Sequence, residues 1–372
     1  MTNDRRSRRR KKARRETGRN AGSGQPTFDT LLTDSVRRAL SCGHPLGLLS
    51  LASELMEMGR PARGEDRLDS LLTLLIKGRN RETTALLAVM GELLVDDLAA
   101  QSRCRREVAE RRDLLPRWIK ALPQVKVHRA ARRTHVLGHL EALMIGARLD
   151  GRKELTISLL IDHDVVSSVV DASISRDPIN DVLTQLADQD SDVEVTAVSL
   201  AAARAQVRTV LARPIFESTI DGWPLCQLLV CWLVARLPEG GEYQLPATDW
   251  EHATEVRNAF FETESAAPFK DCWHRDLLLE LFESGTGDPL RWSTDRVHQI
   301  VGGSPFYEDY IPLEVALDTP DLLRVFIPYA YAQSGIRDEL TARAVAVIDR
   351  ERSNFKRKLL QEARDREFRD VV

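Results

Sequence analysis

Between Ala142 and Val170 the apolar residues change their spacing, and no other feature constrains the fold of this chain as much. On either side they recur about every 3.6 residues, the period of an amphipathic helix, whereas here they tend to alternate as in a strand. Leu155-Thr156-Ile157-Ser158-Leu159-Leu160-Ile161 and Val165-Val166-Ser167-Ser168-Val169-Val170 are rich in β-branched residues, which suit a pleated surface. They flank Asp162-His163-Asp164, a turn-like cluster. Ala142 to Leu149 ends at Asp150-Gly151, a strong hairpin signal. The pattern predicts an antiparallel β-meander of three strands within residues 123–176, or four if Val125 to His139 contributes one.

The flanks read as helix. Over residues 27–122, Leu86, Leu87, Met90, Leu93 and Leu94 keep helical spacing. Gly43-His44-Pro45, Gly59-Arg60-Pro61 and Gly78-Arg79-Asn80 supply breaks. Over residues 177–372, Asp177-Pro178, Ser293-Thr294-Asp295 and Thr319-Pro320-Asp321 offer helix starts. The last twenty or so residues carry mixed charge and predict an exposed, fraying helix end. The expected fold class is therefore α+β, mostly α-helical. A helical N-terminal lobe precedes the sheet, and a helical C-terminal lobe packs with it.

Residues 1–26 stand apart. Ten of the fifteen residues from Arg5 to Arg19 are basic: Arg5, Arg6, Arg8, Arg9, Arg10, Lys11, Lys12, Arg14, Arg15 and Arg19. With Asp4 and Glu16, the first nineteen residues carry +8, while the other 43 basic and 54 acidic residues leave −11 on the remainder. So dense a like-charged block repels itself and predicts a disordered arm, followed by a Gly/Ser linker to Pro26. Such an arm neutralises phosphates and gives salt-sensitive, sequence-independent contact with RNA or DNA, ribosomal RNA included. It holds no aromatic residue, so it offers no base stacking. The alternatives are a solvated tail, a tail that folds back on the acidic remainder, and contact with an anionic membrane surface, against which the charges have no accompanying amphipathic apolar face.

Five widely spaced cysteines, Cys42, Cys104, Cys226, Cys231 and Cys272, argue for reduced thiols in a cytoplasm. The most apolar stretch, Trp223 to Leu237, is too short to span a membrane and reads as a buried helix. No phosphate loop, dinucleotide fingerprint or nucleophile elbow is present. The compact polar candidate is Asp162, His163 and Asp164, which could hold a divalent metal with a further ligand such as His135 or His139. Turn chemistry alone also explains these residues. His135 and His139 are spaced as in a zinc helix but lack the glutamate that follows the first histidine of metalloproteases. Trp223, Trp232, Trp250, Trp273 and Trp292 could line a pocket, or serve as core.

Gly287-Asp288-Pro289-Leu290-Arg291-Trp292-Ser293, followed by Leu322-Leu323-Arg324 and Gly335-Ile336-Arg337, resembles an uncharacterised family from high-GC Gram-positive bacteria. Glu154-Leu155-Thr156 through Asp162-His163 is similar to that family's strand pair, and Arg81-Glu82-Thr83-Thr84-Ala85-Leu86-Leu87 is a third match. The resemblance implies helices around a small sheet and no assigned activity. Some relatives carry a C-terminal Cys/His-rich metal module. The end of this chain has no such cluster, so no metal is carried over. The expectation is a cytoplasmic binding or adaptor protein without a cofactor, its arm on nucleic acid and its acidic body on a protein partner. The competing expectation is a metal-dependent hydrolase or small-ligand-binding protein working through the body.

Overall fold

The computed structural model describes residues 28–59, 67–151, 153–187, 191–213, 222–269, 271–303 and 310–370. The fold is α+β and mostly helical, with fifteen α-helices and one five-stranded antiparallel sheet among those residues. The chain divides into two compact units, Met1–Gly91 with Ala99–Ile119, and Glu92–Leu98 with Lys120–Val372.

The first unit is built on α1 (Phe28–Ser41), α2 (Leu46–Met58), α3 (Arg67–Lys77), α4 (Arg81–Leu93) and α5 (Leu98–Arg111), with α6 (Arg117–Ala121) at its boundary. Leu86, Leu87, Met90, Leu93 and Leu94 are buried, as their spacing predicts, and Leu48, Leu72 and Leu75 are buried as well. The breaks at Gly43-His44-Pro45 and Gly78-Arg79-Asn80 fall between helices. The Arg111 side chain, 4% exposed, lies where α3 ends and donates to the carbonyls of Leu75 (3.0 Å) and Ile76 (2.8 Å). These carbonyls have no partner inside their own helix.

In the second unit β1 (Lys126–His135), β2 (Leu140–Asp150), β3 (Lys153–Asp162) and β4 (Ser168–Ser175) form the meander. Gly151 turns the β2–β3 hairpin at φ 57°, as Asp150-Gly151 predicts. The stretch Val125 to His139 supplies β1, the fourth strand. A fifth, β5 (Val193–Val198), lies in a region read as helical and completes the order β4-β3-β2-β1-β5. It pairs antiparallel with β1, from Ala130↔Val198 to His135↔Val193, so its partner lies some sixty residues earlier in the chain.

The helix α7 (Ile179–Ala187) packs Ile179 and Leu183 against Ala131 and Met144 of the sheet. Gly146 makes room for it, since a Cβ there would lie 2.7 Å from Ile179 Cγ2. α8 (Leu200–Leu211) packs on β1 and β4, and α9 (Gly222–Val234) packs on β4. Six helices follow: α10 (Trp250–Phe261), α11 (Cys272–Phe282), α12 (Thr294–Gly302), α13 (Leu313–Ala316), α14 (Thr319–Ser334) and α15 (Asp338–Asp370). Their core gathers Phe260, Phe282, Trp292, Phe326 and Tyr331. Within α15, Phe355 and Leu359, one turn apart, are buried, and Lys358 Nζ donates to the carbonyls of Gly302 (3.0 Å) and Gly303 (3.1 Å); beyond them Leu360, Gln361, Arg364 and Asp365 are exposed. No helix among the described residues is long and apolar enough to cross a membrane.

Candidate functional site

The candidate residues Asp162, His163 and Asp164 sit in the β3–β4 turn. Asp162 Oδ1 accepts the Asp164 N–H at 2.9 Å, a local bond that aspartate favours in turns. The turn then passes through Val166 and Ser167 at φ 55° and 53°. A left-handed conformation costs an L-residue about 1–2 kcal/mol, and a β-branched side chain suffers most. Because Val166 is 47% exposed, Val166→Asn should raise stability by about 1 kcal/mol, read from the urea midpoint.

This turn separates the three candidates. Asp164 is buried, and its Oδ2 accepts the Ser293 hydroxyl. Ser293 in turn caps α12, accepting the Arg296 N–H at 2.8 Å. Burial pushes both the Asp164 and the Asp162 carboxyl above the usual range. Arg296, 1% exposed, donates to Ser284 Oγ (2.9 Å) and to the carbonyls of Asp288 (2.7 Å), Arg291 (2.7 Å), Leu281 (3.2 Å) and Phe282 (3.1 Å). Its guanidinium lies 3.9 Å from the Trp292 ring centroid. Burial lowers its pKa to about 10, so it stays charged at neutral pH. Asp164 thus belongs to the hydrogen-bonded network at the start of α12.

His163 goes elsewhere. Its backbone N–H donates to the His139 carbonyl at 2.8 Å, beside the β2–β3 ladder. The ring is 3% exposed. Nδ1 lies 3.0 Å from Ser167 Oγ, and Nε2 lies 3.8 Å from Glu141 Oε2. Glu141, 6% exposed, accepts from Gln206 Nε2 and pairs with Arg132 Nε at 3.2 Å. Arg132 also donates to Gln206 Oε1 at 2.9 Å and stands over the Tyr243 ring. Burial, with Glu141 adding to it, pushes the Tyr243 hydroxyl up to about 12. Glu141 was not among the sequence candidates. Its signal was a lone carboxylate at the position where strand alternation puts it beside Leu143 and Ile145 on the buried face of β2.

His135 and His139 flank a tight turn whose Gly138 has φ 73°, rather than lying on a helix. Their rings meet edge to face at 4.8 Å. Burial, reinforced by His135, lowers the His139 pKa to about 4. The folded state thus keeps His139 neutral while the unfolded state binds its proton at the ordinary value of about 6.5. Its stabilising contribution is therefore complete above that value and lost as pH falls toward 4. Wild type should lose up to about 3 kcal/mol over this interval, and His139→Leu should flatten that part of the pH profile of the melting temperature. Among the described residues no three His, Cys, Asp or Glu side chains are placed to hold a metal ion.

His163, Glu141 and Arg132 open onto a pocket of about 410 Å³. Its other walls come from residues 246–252 and 286–291. Asp249 caps α10 there, accepting the N–H groups of Glu251 (3.1 Å) and His252 (3.2 Å). The two wall segments touch closely at Gly287, φ 75°, where a Cβ would lie 2.6 Å from the Thr248 backbone nitrogen. Asp288 accepts the Leu290 N–H at 2.8 Å and pairs with Arg291 Nε at 3.3 Å. None of the five tryptophans named above lines this pocket; Trp223, Trp232 and Trp292 are core. The basic residues Arg5 to Arg19 lie outside the described residues. Comparison with family models, curated proteins and solved structures finds no match.

Proposed function

We propose that this is a binding protein with two working parts, a folded body that holds a small polar ligand and an Arg-rich arm that fastens it to nucleic acid. The body's part rests on one observation. Charged and polar side chains from β1, β2, the β3–β4 turn and two later loops converge on one pocket of about 410 Å³. A concave site of a few hundred cubic ångströms with a few convergent polar groups suits a small molecule. Binding is favoured over acyl transfer, because the hydroxyl beside His163, that of Ser167, is buried and does not line the pocket. A thermal-shift screen of the full chain against small metabolites tests this. A true ligand at a hundred times its Kd should add about 2.7 kcal/mol of stability, and a panel without any hit would remove the pocket from the account.

The second part rests on the ten basic residues between Arg5 and Arg19. Phosphate contacts of this kind position a protein but do not read sequence. The five cysteines are free thiols, which suits a reducing cytoplasm. The acidic remainder of the chain would then face a protein partner.

A further inference from the structure

The pocket's unspent hydrogen-bonding groups define what it can take. Its acids are largely engaged: Asp288 by Leu290 and Arg291, Asp249 Oδ1 by the start of α10, and Glu141 Oε1 by Gln206 and Arg132. Of its two arginines, Arg132 is committed to Glu141 and Gln206, whereas Arg291 is not. Arg291 spends only Nε, on Asp288, and its side chain is 45% exposed. Nη1 and Nη2 make no hydrogen bond among the described residues, and Nη1 lies over Gly138, 3.6 Å from where a Cβ would be. The missing side chain at Gly138 leaves the guanidinium edge clear. A planar fork with two free donors matches a carboxylate or phosphate. Arg132, paired with Glu141, lines the same pocket.

The floor asks for something else. His163 Nε2 and Glu141 Oε2 stand 3.8 Å apart, too far for a direct hydrogen bond. One ligand oxygen can sit about 2.8 Å from both, and a hydroxyl suits it, accepting from Nε2–H and donating to the carboxylate. Ser167 at Nδ1 holds the ring on its far side.

We infer that the pocket binds a small hydroxylated organic anion, of the sugar-phosphate or sugar-acid class, with its anionic group on Arg291 and a hydroxyl bridging His163 and Glu141. This rests on the reading of the pocket as a ligand site and names the ligand class.

The test is calorimetry and thermal shift on the full chain with three sets of probes. Ribose 5-phosphate and gluconate carry anion and hydroxyls, inorganic phosphate and acetate carry only the anion, and ribose and glycerol carry only hydroxyls. Hydroxylated anions should bind at least about tenfold tighter than either control set. Arg291→Ala should weaken them by about tenfold or more without moving the melting temperature, and Arg291→Lys should recover only part of that loss. Preference for the neutral or hydroxyl-free probes, or undiminished binding by Arg291→Ala, would overturn the assigned class while leaving a ligand site. No binding by any probe, together with a blank metabolite screen, would overturn the site itself.

Discussion

Removing residues 1–19 should abolish salt-sensitive binding of mixed-sequence RNA or DNA. The segment carries +8, and each phosphate it neutralises releases condensed counterions. With about eight contacts, log K should fall with log salt at a slope of about −7 on duplex DNA and about −6 on single strands. Raising salt from about 50 to 200 mM would then weaken the intact protein by roughly 10⁴-fold. The truncated chain, with −11 on what remains, should show no such dependence. Its melting temperature should be nearly unchanged, because Met1 and Ala13 are the only apolar side chains removed. Fluorescence anisotropy across a salt series reads all of this. Equal binding by the two chains would take the arm out of the function. A melting temperature lowered by truncation only at low salt would show the arm resting on the protein's own acids.

Arg296→Ala should cost about 3–5 kcal/mol of stability, the range seen when one member of a buried charged network is removed. The arginine is 1% exposed and gathers four main-chain carbonyls and the Ser284 hydroxyl. Without it those carbonyls lose their partner in a dry environment, and the buried Asp164 carboxyl loses a nearby positive charge. Arg296→Lys should recover little, because an ammonium has three donors and no planar fork. A urea midpoint for Arg296→Ala corresponding to less than about 1 kcal/mol would refute this account.

What the sequence discloses is what short-range chemistry decides. Ser293 caps α12 with its own side chain, and Asp150-Gly151 turns its hairpin, because each such device is complete within a few residues. β5 carries the same signal, with Val193, Val195, Thr196 and Val198 β-branched, but its six residues stand between helices, and their pairing with β1 some sixty residues away is not written locally. The site is hidden for the same reason. Asp162-His163-Asp164 reads as one cluster, yet two positive-φ residues and three different partners send its members to separate tasks. Glu141 acquires meaning only from Arg132, His163 and Gln206, which arrive from other elements.

The outer side of β5 has a consequence for the protein in a crowded solution. Being an edge strand of its sheet, it presents main-chain donors and acceptors that no sixth strand among the described residues takes up, and Val195 beside them is 43% exposed. Such an edge is a template on which an extended segment of another molecule can continue the sheet. Its brevity and the exposed charge of Glu194 are what oppose self-association at this rim of the sheet.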